Sequence, residues 1–448
     1  MDLSSFLQDL SLSLTEKPLP LCSHPPITEL LDGLREHLTG ATDAELCALI
    51  DRVERFFLMG DPHWLFCPPP ANQGAEQQQE VGSEGGWAEL QGAYVALVDA
   101  LARCAALPLC HEDSGSLPTA DYKTIPERVI ALSSALKALL EALAERERGC
   151  GADREQQHKL LLAVAPQICV FAVTHDQVQN WTNQKSRQAA QSLQGALLWA
   201  GHWRDSAHLL IGDERREEEG GQEKIQGILG GILDILQPQL TKDTWWHCEA
   251  VKLVFAWTLL QVTRPSLSSH LPRLLPPALL LNDHYRRENC MLGIRCLHHI
   301  VVNTAAAELR QLNRASVVYE ALFKHLYTTD AAVIQLTLSS LLDILLVLEK
   351  PPLSLSPASC RRRPCRHDDV LRLILTHMEA EHKVELRRVY AVALPQYIHR
   401  MGVAVCRHLK RLERVVLRYL EVEDPPEEHN RLKVLEVLQE TLITAWPR

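Results

Sequence analysis

The chain has 448 residues, 46% of them hydrophobic and 23% charged, and carries a formal charge of -10 from 46 Lys and Arg against 56 Asp and Glu. That balance excludes a disordered chain and argues against a general nucleic-acid binder, whose surface would be basic overall. Aromatic residues make up only 5% and leucine is abundant, a mixture that favours helix over sheet.

The first predicted helix opens at Pro26 and carries Leu30, Leu31, Leu34 and Leu38 at spacings of three and four, until Gly40 stops it. Asp43 is expected to cap a second helix through Leu49, Ile50, Val53 and Phe57, which ends before Gly60 and the Pro68-Pro69-Pro70 run. Ala71 to Gly86 is rich in Gln, Glu and Gly with little to bury, which reads as a flexible insertion. Helices are expected from Glu89 to about Ala106 and from Pro126 to about Glu147, with a linker from Leu107 to Thr124 between them. The chain resumes near Arg154 with an apolar run that should end against Pro166, followed by a short helix through Val170 and Val173. A polar loop from Thr174 to Lys185, a helix to Ala200 and an acidic loop from Asp213 to Gly221 complete this stretch.

From Ile225 the pattern strengthens, with helices expected at about 223–236, 243–262, 266–281 with interruptions, 284–302, 314–326, 330–348, 367–378, 383–400, 402–420 and 428–445. Pairs of helices joined by tight turns, recurring every 35 to 50 residues or so, are the spacing of a HEAT or armadillo-like α-solenoid. A helix with one apolar stripe cannot bury it alone, and stacking supplies the missing surface. The expected architecture is therefore all-α, with N-terminal helical repeats over 1–150 and a C-terminal HEAT-like solenoid over 151–448 that includes the acidic loop 213–221 and a basic loop at 360–366; one closed helical domain is the competing arrangement.

The thirteen cysteines, such as Cys47, Cys104, Cys169, Cys296 and Cys406, fall mostly inside apolar helical patterns and read as buried thiols of a reducing compartment. Met1 to Leu14 lacks the basic segment and apolar run of a secretory signal, and no stretch reaches the roughly 20 apolar residues of a membrane span; Leu338 to Leu348 is short and contains Asp343. Cytoplasmic and nuclear localisation is expected.

Two clusters are candidate interaction sites. On the segment Gly402 to Leu420, an apolar side carries Val405, Leu409, Leu412, Val416, Tyr419 and Leu420, while Arg407, Lys410, Arg411, Arg414 and Arg418 share the opposite side. These cations repel one another unless an anion lies near: an acidic or phosphorylated partner, a polyphosphate, or Glu421, Glu423, Asp424, Glu427 and Glu428 of the same chain. Trp245, Trp246, Phe255 and Trp257 bring large rings into adjacent turns and either fill the groove between repeats or anchor a neighbour.

The run from Cys360 to His367 offers Cys360, Cys365 and His367 at a spacing unusual for zinc and amid arginines, so a basic loop is expected there rather than a metal site. His298-His299 reads as one packed and one exposed histidine. Phosphate loop, nucleophile elbow and His-Glu-x-x-His are absent, and Gly227, Gly230 and Gly231 sit in a helical pattern without the lysine a phosphate cradle needs. Neither enzymatic activity nor a metal or other cofactor is expected.

Particular residues add a resemblance. Phe255 to Pro265, Glu288-Asn289 leading to Gly293 to Val301, Asp369 to Glu379, Arg407 to Val415 and the terminal Trp446-Pro447 resemble the family of the second Tel-interacting protein, a subunit of the Triple T cochaperone complex, and the likeness covers the chain from about Phe171 onward. It implies a HEAT-like, non-catalytic adaptor bound to the large first Tel-interacting HEAT-repeat subunit and to the Tel protein, supporting folding, assembly and stability of phosphatidylinositol-3-kinase-related kinases. The Hsp90 system and its R2TP cochaperone are implied as indirect associates, and no membrane. A regulatory anion- or phosphoprotein-binding module that uses the basic helix face is the alternative.

Overall fold

The computed structural model describes residues 26–69, 81–110, 117–149, 154–213, 225–352, 364–424 and 427–446. Among them there is no β-strand, only an isolated bridge between Gly212 and Gln226. The chain divides into two compact units, Met1–Val262 and Thr263–Arg448, so the division lies at 262/263 where the sequence pattern had placed it at 150/151. The reason is visible in the packing on either side of residue 150, where neighbouring helices remain layered on one another.

In the first unit, α1 (Ile27–Gly40) and α2 (Asp43–Met59) form a pair, a short α3 (Pro62–Leu65) follows, and α4 (Val81–Arg103), α5 (Ile125–Gly149), α6 (Arg154–His175) and α7 (Gln184–Ala200) continue it. α1 packs on α4 and α4 on α6, while α2 packs on α5 and α5 on α7. Leaving aside the short α3, each helix thus meets the one two places on, the layered arrangement that lets single-stripe helices bury their apolar faces. Three short or medium helices end the unit, α8 (Ser206–Ile211), α9 (Leu229–Leu236) and α10 (Glu249–Gln261), the last two against α6.

Several local details differ from the sequence pattern. The cap of α2 is Thr42 rather than Asp43: its hydroxyl donates to the Glu45 carboxylate at 2.8 Å, and the reciprocal bonds complete a capping box. Those bonds hold the Glu45 carboxyl below its usual range. Val81 to Gly86, expected to be part of a flexible insertion, form the first turns of α4, while 71–80 lie outside the described residues. Likewise 214–221 of the acidic loop and 360–363 of the basic loop lie outside them, and Arg366 already belongs to a helix.

Pro166 does not end a helix, because α6 runs through it to His175. A proline removes one amide donor and crowds the preceding turn, at about 3 kcal/mol in an isolated helix. Here the ring is buried, and Gly231 of α9 lies so close that a Cβ at that position would stand 2.6 Å from the Pro166 Cγ. Gly231 is thus a packing glycine, which accounts for its place in a helix with no phosphate-cradle role.

The second unit repeats the layering. It comprises α11 (Leu267–Asn282), α12 (Arg287–Asn303), the short α13 (Ala306–Arg310), α14 (Arg314–Phe323), α15 (Ala331–Leu348), α16 (Arg366–Ala380), α17 (Val384–Met401), α18 (Leu409–Glu421) and α19 (His429–Ala445). One layer runs α12, α15, α17, α19, each packed on the next; α11, α14, α16 and α18 pair onto it from the other side. Where the end of α11 packs on the middle of α12 the backbones come very close, since a Cβ on Gly293 would lie 2.1 Å from the Asn282 amide nitrogen. Across the inner layer the Tyr397 hydroxyl of α17 donates to the Leu338 carbonyl of α15 at 2.7 Å.

α6 and α15 are long and apolar enough to cross a membrane by length and composition, a property the sequence pattern had not assigned to either. In each, more than half of the apolar window (61% and 56%) is buried against neighbouring helices, so packing in the helical layers accounts for that apolarity. The cysteines are mixed. Cys169, Cys290 and Cys296 are buried, and loss of solvation pushes their thiols up to about 12, 11 and 12 respectively. Cys47 is exposed, and Cys104 and Cys406 are half-buried, contrary to the expectation for all three.

Candidate interaction surfaces

The segment expected to be one helix from Gly402 is two elements. Gly402 sits at φ 54°, in the region that favours glycine, and residues 402–408 form a tighter 3-10 stretch before α18 begins at Leu409. Arg407 therefore falls outside the 3.6-residue register that unites Lys410, Arg411, Arg414 and Arg418. The apolar side is also redistributed: Val405, Leu412, Val415, Val416 and Tyr419 are buried, whereas Leu409 and Leu417 are exposed.

The anion beside the stripe is Glu379, at the end of α16, and none of the acidic residues from 421 to 428. Arg411 grips its carboxylate in two-pronged fashion, Nε to Oε1 at 3.2 Å and Nη2 to Oε2 at 2.8 Å. The same guanidinium donates to the Thr376 hydroxyl at 2.9 Å and to the Arg372 carbonyl at 3.4 Å. Arg414 lies 3.8 Å from the carboxylate, and Arg418 donates to the Glu379 backbone carbonyl. Bonding to Arg411, followed by the charges of Arg411, Arg414 and Arg418, holds the Glu379 carboxyl below its usual range. Three arginines thus converge on the C-terminal end of a helix, whose unsatisfied carbonyls carry partial negative charge. The forked Arg–carboxylate geometry at a half-buried site is worth on the order of 1 kcal/mol.

Two of the acidic residues named as alternatives, Asp424 and Glu428, are engaged elsewhere. Asp424 accepts the Asn430 side-chain amide at 3.0 Å and the Arg431 backbone N–H at 3.3 Å, closing the turn into α19. Glu428 pairs with Arg431 at 2.8 Å.

The aromatic cluster resolves towards the interior. Phe255 in α10 is fully buried and Trp245 is buried, so neither is an external anchor; Trp257 and Trp246 are half-buried, the latter with its ring centroid 3.8 Å from that of His247. Of the histidine pair, His298 meets Asp343 at 2.8 Å and His299 lies against Asn303 of its own helix.

Among the described residues an exposed apolar surface lies where no site had been expected, on α19. Asn430, Val434, Val437 and Thr441 make up its buried face. Leu432, Leu435, Leu438, Leu442, Ile443 and Trp446 are all exposed, Trp446 at 83%. Leu435, Leu442 and Trp446 recur at helical spacing on a side about 130° from the buried one. The signal was present in composition: α19 carries more large apolar residues than a single buried face uses.

Residues 234–425 match the model of the Tti2 family. The chain is 47% identical over 286 residues to the protein of Homo sapiens called TELO2-interacting protein 2, covering 64% of this chain and 54% of that one. With the Mus musculus protein of the same name it shares 46% over 282 residues, 63% of this chain and 53% of the other. The chain therefore spans about half the length of the curated relatives it matches. Among solved structures, Kap121p bound to Pho4p is 12% identical with a TM-score of 0.40, covering 94% of this chain and 38% of that one; a likeness at that score adds nothing to the architecture above. The span that matches the Tti2 family model contains α10 through α18 together with Gly293, Glu379 and Arg411.

Proposed function

We propose that this protein is a non-catalytic adaptor of a cochaperone assembly, the Triple T complex, which supports the folding, assembly and stability of phosphatidylinositol-3-kinase-related kinases. The observation that carries the proposal is the 47% identity to a protein whose name records an interaction with TELO2. On this reading the chain binds TELO2 and the large first Tel-interacting subunit, meets the kinases as clients, associates indirectly with Hsp90 and R2TP, and works in cytoplasm and nucleus.

The physical form of the chain supports such a role. Layered helices present long solvent-facing ridges, and the apolar side of α19 offers the desolvated centre that stable subunit pairing needs. Against the anion-binding alternative stands the engagement of Arg411, and more loosely of Arg414 and Arg418, with Glu379.

The test is copurification of the tagged full chain from cells, with partner identification by mass and quantitation of the kinases after acute depletion. TELO2 and the large subunit are expected in fixed ratio with the chain, and kinase levels should fall. A chain recovered without either partner, or unchanged kinase levels once depletion is complete, overturns the proposal.

A further inference from the structure

Cys365 and His367 stood out in the sequence as metal-ligand types lacking a sufficient set, and Cys360 lies outside the described residues. The fold supplies a donor that linear spacing could not reveal. Glu349, the residue that ends α15, returns to the start of α16, and its carboxylate, the Cys365 sulfur and a His367 ring nitrogen all lie within 4.8 Å of one another.

The dimensions suit one small cation. Glu349 Oε2 stands 3.6 Å from His367 Nδ1, too far for a hydrogen bond and near the edge of about 3.4 Å that a tetrahedron has when its metal–ligand bonds are about 2.1 Å. The widest separation exceeds such an edge by little more than about 1 Å, within the reach of a single side-chain rotation. The imidazole is 2% exposed, so an ion held there would have one face shielded from water. Asp368 brings a further oxygen, its Oδ2 lying 3.2 Å from the Cys365 sulfur, while its Oδ1 is fixed by the His408 ring at 3.1 Å. A carboxylate steadied by a second residue in this way is the usual support of a ligand set.

We propose that Glu349, Cys365 and His367 form a zinc site, with Asp368 as the nearest fourth donor. Sulfur and imidazole nitrogen select zinc over magnesium or calcium, which take oxygen ligands. On binding, the Cys365 thiol releases its proton to solvent; thiolate and the Glu349 carboxylate neutralise the dication while His367 stays neutral, and the Asp368 carboxylate as fourth donor leaves one negative charge at the positive end of α16. Asp368 and Asp369 in the first turn of α16 offset the positive end of that helix, which would otherwise oppose a cation. The ion would clasp the end of α15 to the start of α16, joining two successive helix pairs of the second unit.

The test uses the purified full chain, stripped by a chelator and titrated with Co2+ and then Zn2+. One equivalent of cobalt should produce a thiolate charge-transfer band and the visible bands of a tetrahedral ion, all displaced by zinc, and zinc should raise the Tm. Cys365→Ser should abolish the charge-transfer band while Cys406→Ser keeps it. Because His367 is buried and its replacement endangers folding, His367→Gln is paired with Glu349→Gln, whose side chain is partly exposed and which should bind cobalt at least about tenfold more weakly. Absence of the band in the parent chain, its survival in Cys365→Ser, or full affinity in a folded Glu349→Gln chain overturns the site.

Discussion

α18 and α19 are neighbours that solve opposite problems. α18 shows solvent a row of cations, and the row is answered within the chain by Glu379. α19 shows solvent a row of leucines and a tryptophan that remain exposed among the described residues. A conspicuous charge pattern can therefore be structural, while an unremarkable excess of leucine can leave an apolar face exposed among the described residues. Charge is conspicuous in sequence because lysine and arginine are rarely buried; an outward leucine looks like core until its neighbours are placed.

The largest expected effect comes from the buried side of α18. Leu412→Ala removes a side chain that is 1% exposed and should cost about 3 kcal/mol in denaturant unfolding of the second unit. A loss below about 1 kcal/mol would mean that cations rather than apolar packing hold α18. Next is the outward side of α19: replacing Leu435, Leu442 and Trp446 by serine should leave the Tm within a few degrees and weaken TELO2-containing complex capture by at least about tenfold, as expected when central apolar anchors are removed. Undiminished capture would place the partner surface elsewhere.

Smaller effects probe the clamp. Glu379→Gln should lower stability by about 1 kcal/mol at neutral pH. Since the folded state holds this carboxyl below its ordinary value of 4.5, the stabilisation is fully present above that pH and disappears as pH falls through the lowered folded value. Parent and variant should therefore converge in acid, and a gap that stays constant down to the acid transition would exclude the charge pairing as its source. Arg414→Ala, at 3.8 Å and with its side chain 72% exposed, should change stability by less than about 0.5 kcal/mol. A loss equal to that of Glu379→Gln would show that Arg414 shares the clamp equally with Arg411.

Helix periodicity was legible because leucines at three- and four-residue spacing have one economical use, and most of the helices from α10 to α19 fall near the expected ranges. Boundaries failed where local propensity was overridden by tertiary context. Pro166 reads as a stop, yet the α6 backbone continues because the ring packs against Gly231. Val81 to Gly86 reads as flexible because it carries three glycines, yet it is helical. At the candidate surfaces, the cations of α18 could be named from sequence but not their counter-ion, since Glu379 lies 32 positions from Arg411 and belongs to a different helix. Trp245 and Phe255 were visible as large rings, but which way a ring faces depends on helices remote in the chain.

The grip of Arg411 on Glu379 also bears on mechanics. Helical layers bend by small tilts between consecutive pairs, and such tilts cost little where only apolar side chains slide on one another. A forked bond tolerates little sliding, because both of its prongs must stay in plane with the carboxylate. With Thr376 and the Arg372 carbonyl held by the same guanidinium, the α16–α18 junction is stiffened on its solvent side. A tilt at that junction must therefore break or reorient a forked bond, a cost absent where apolar side chains alone meet.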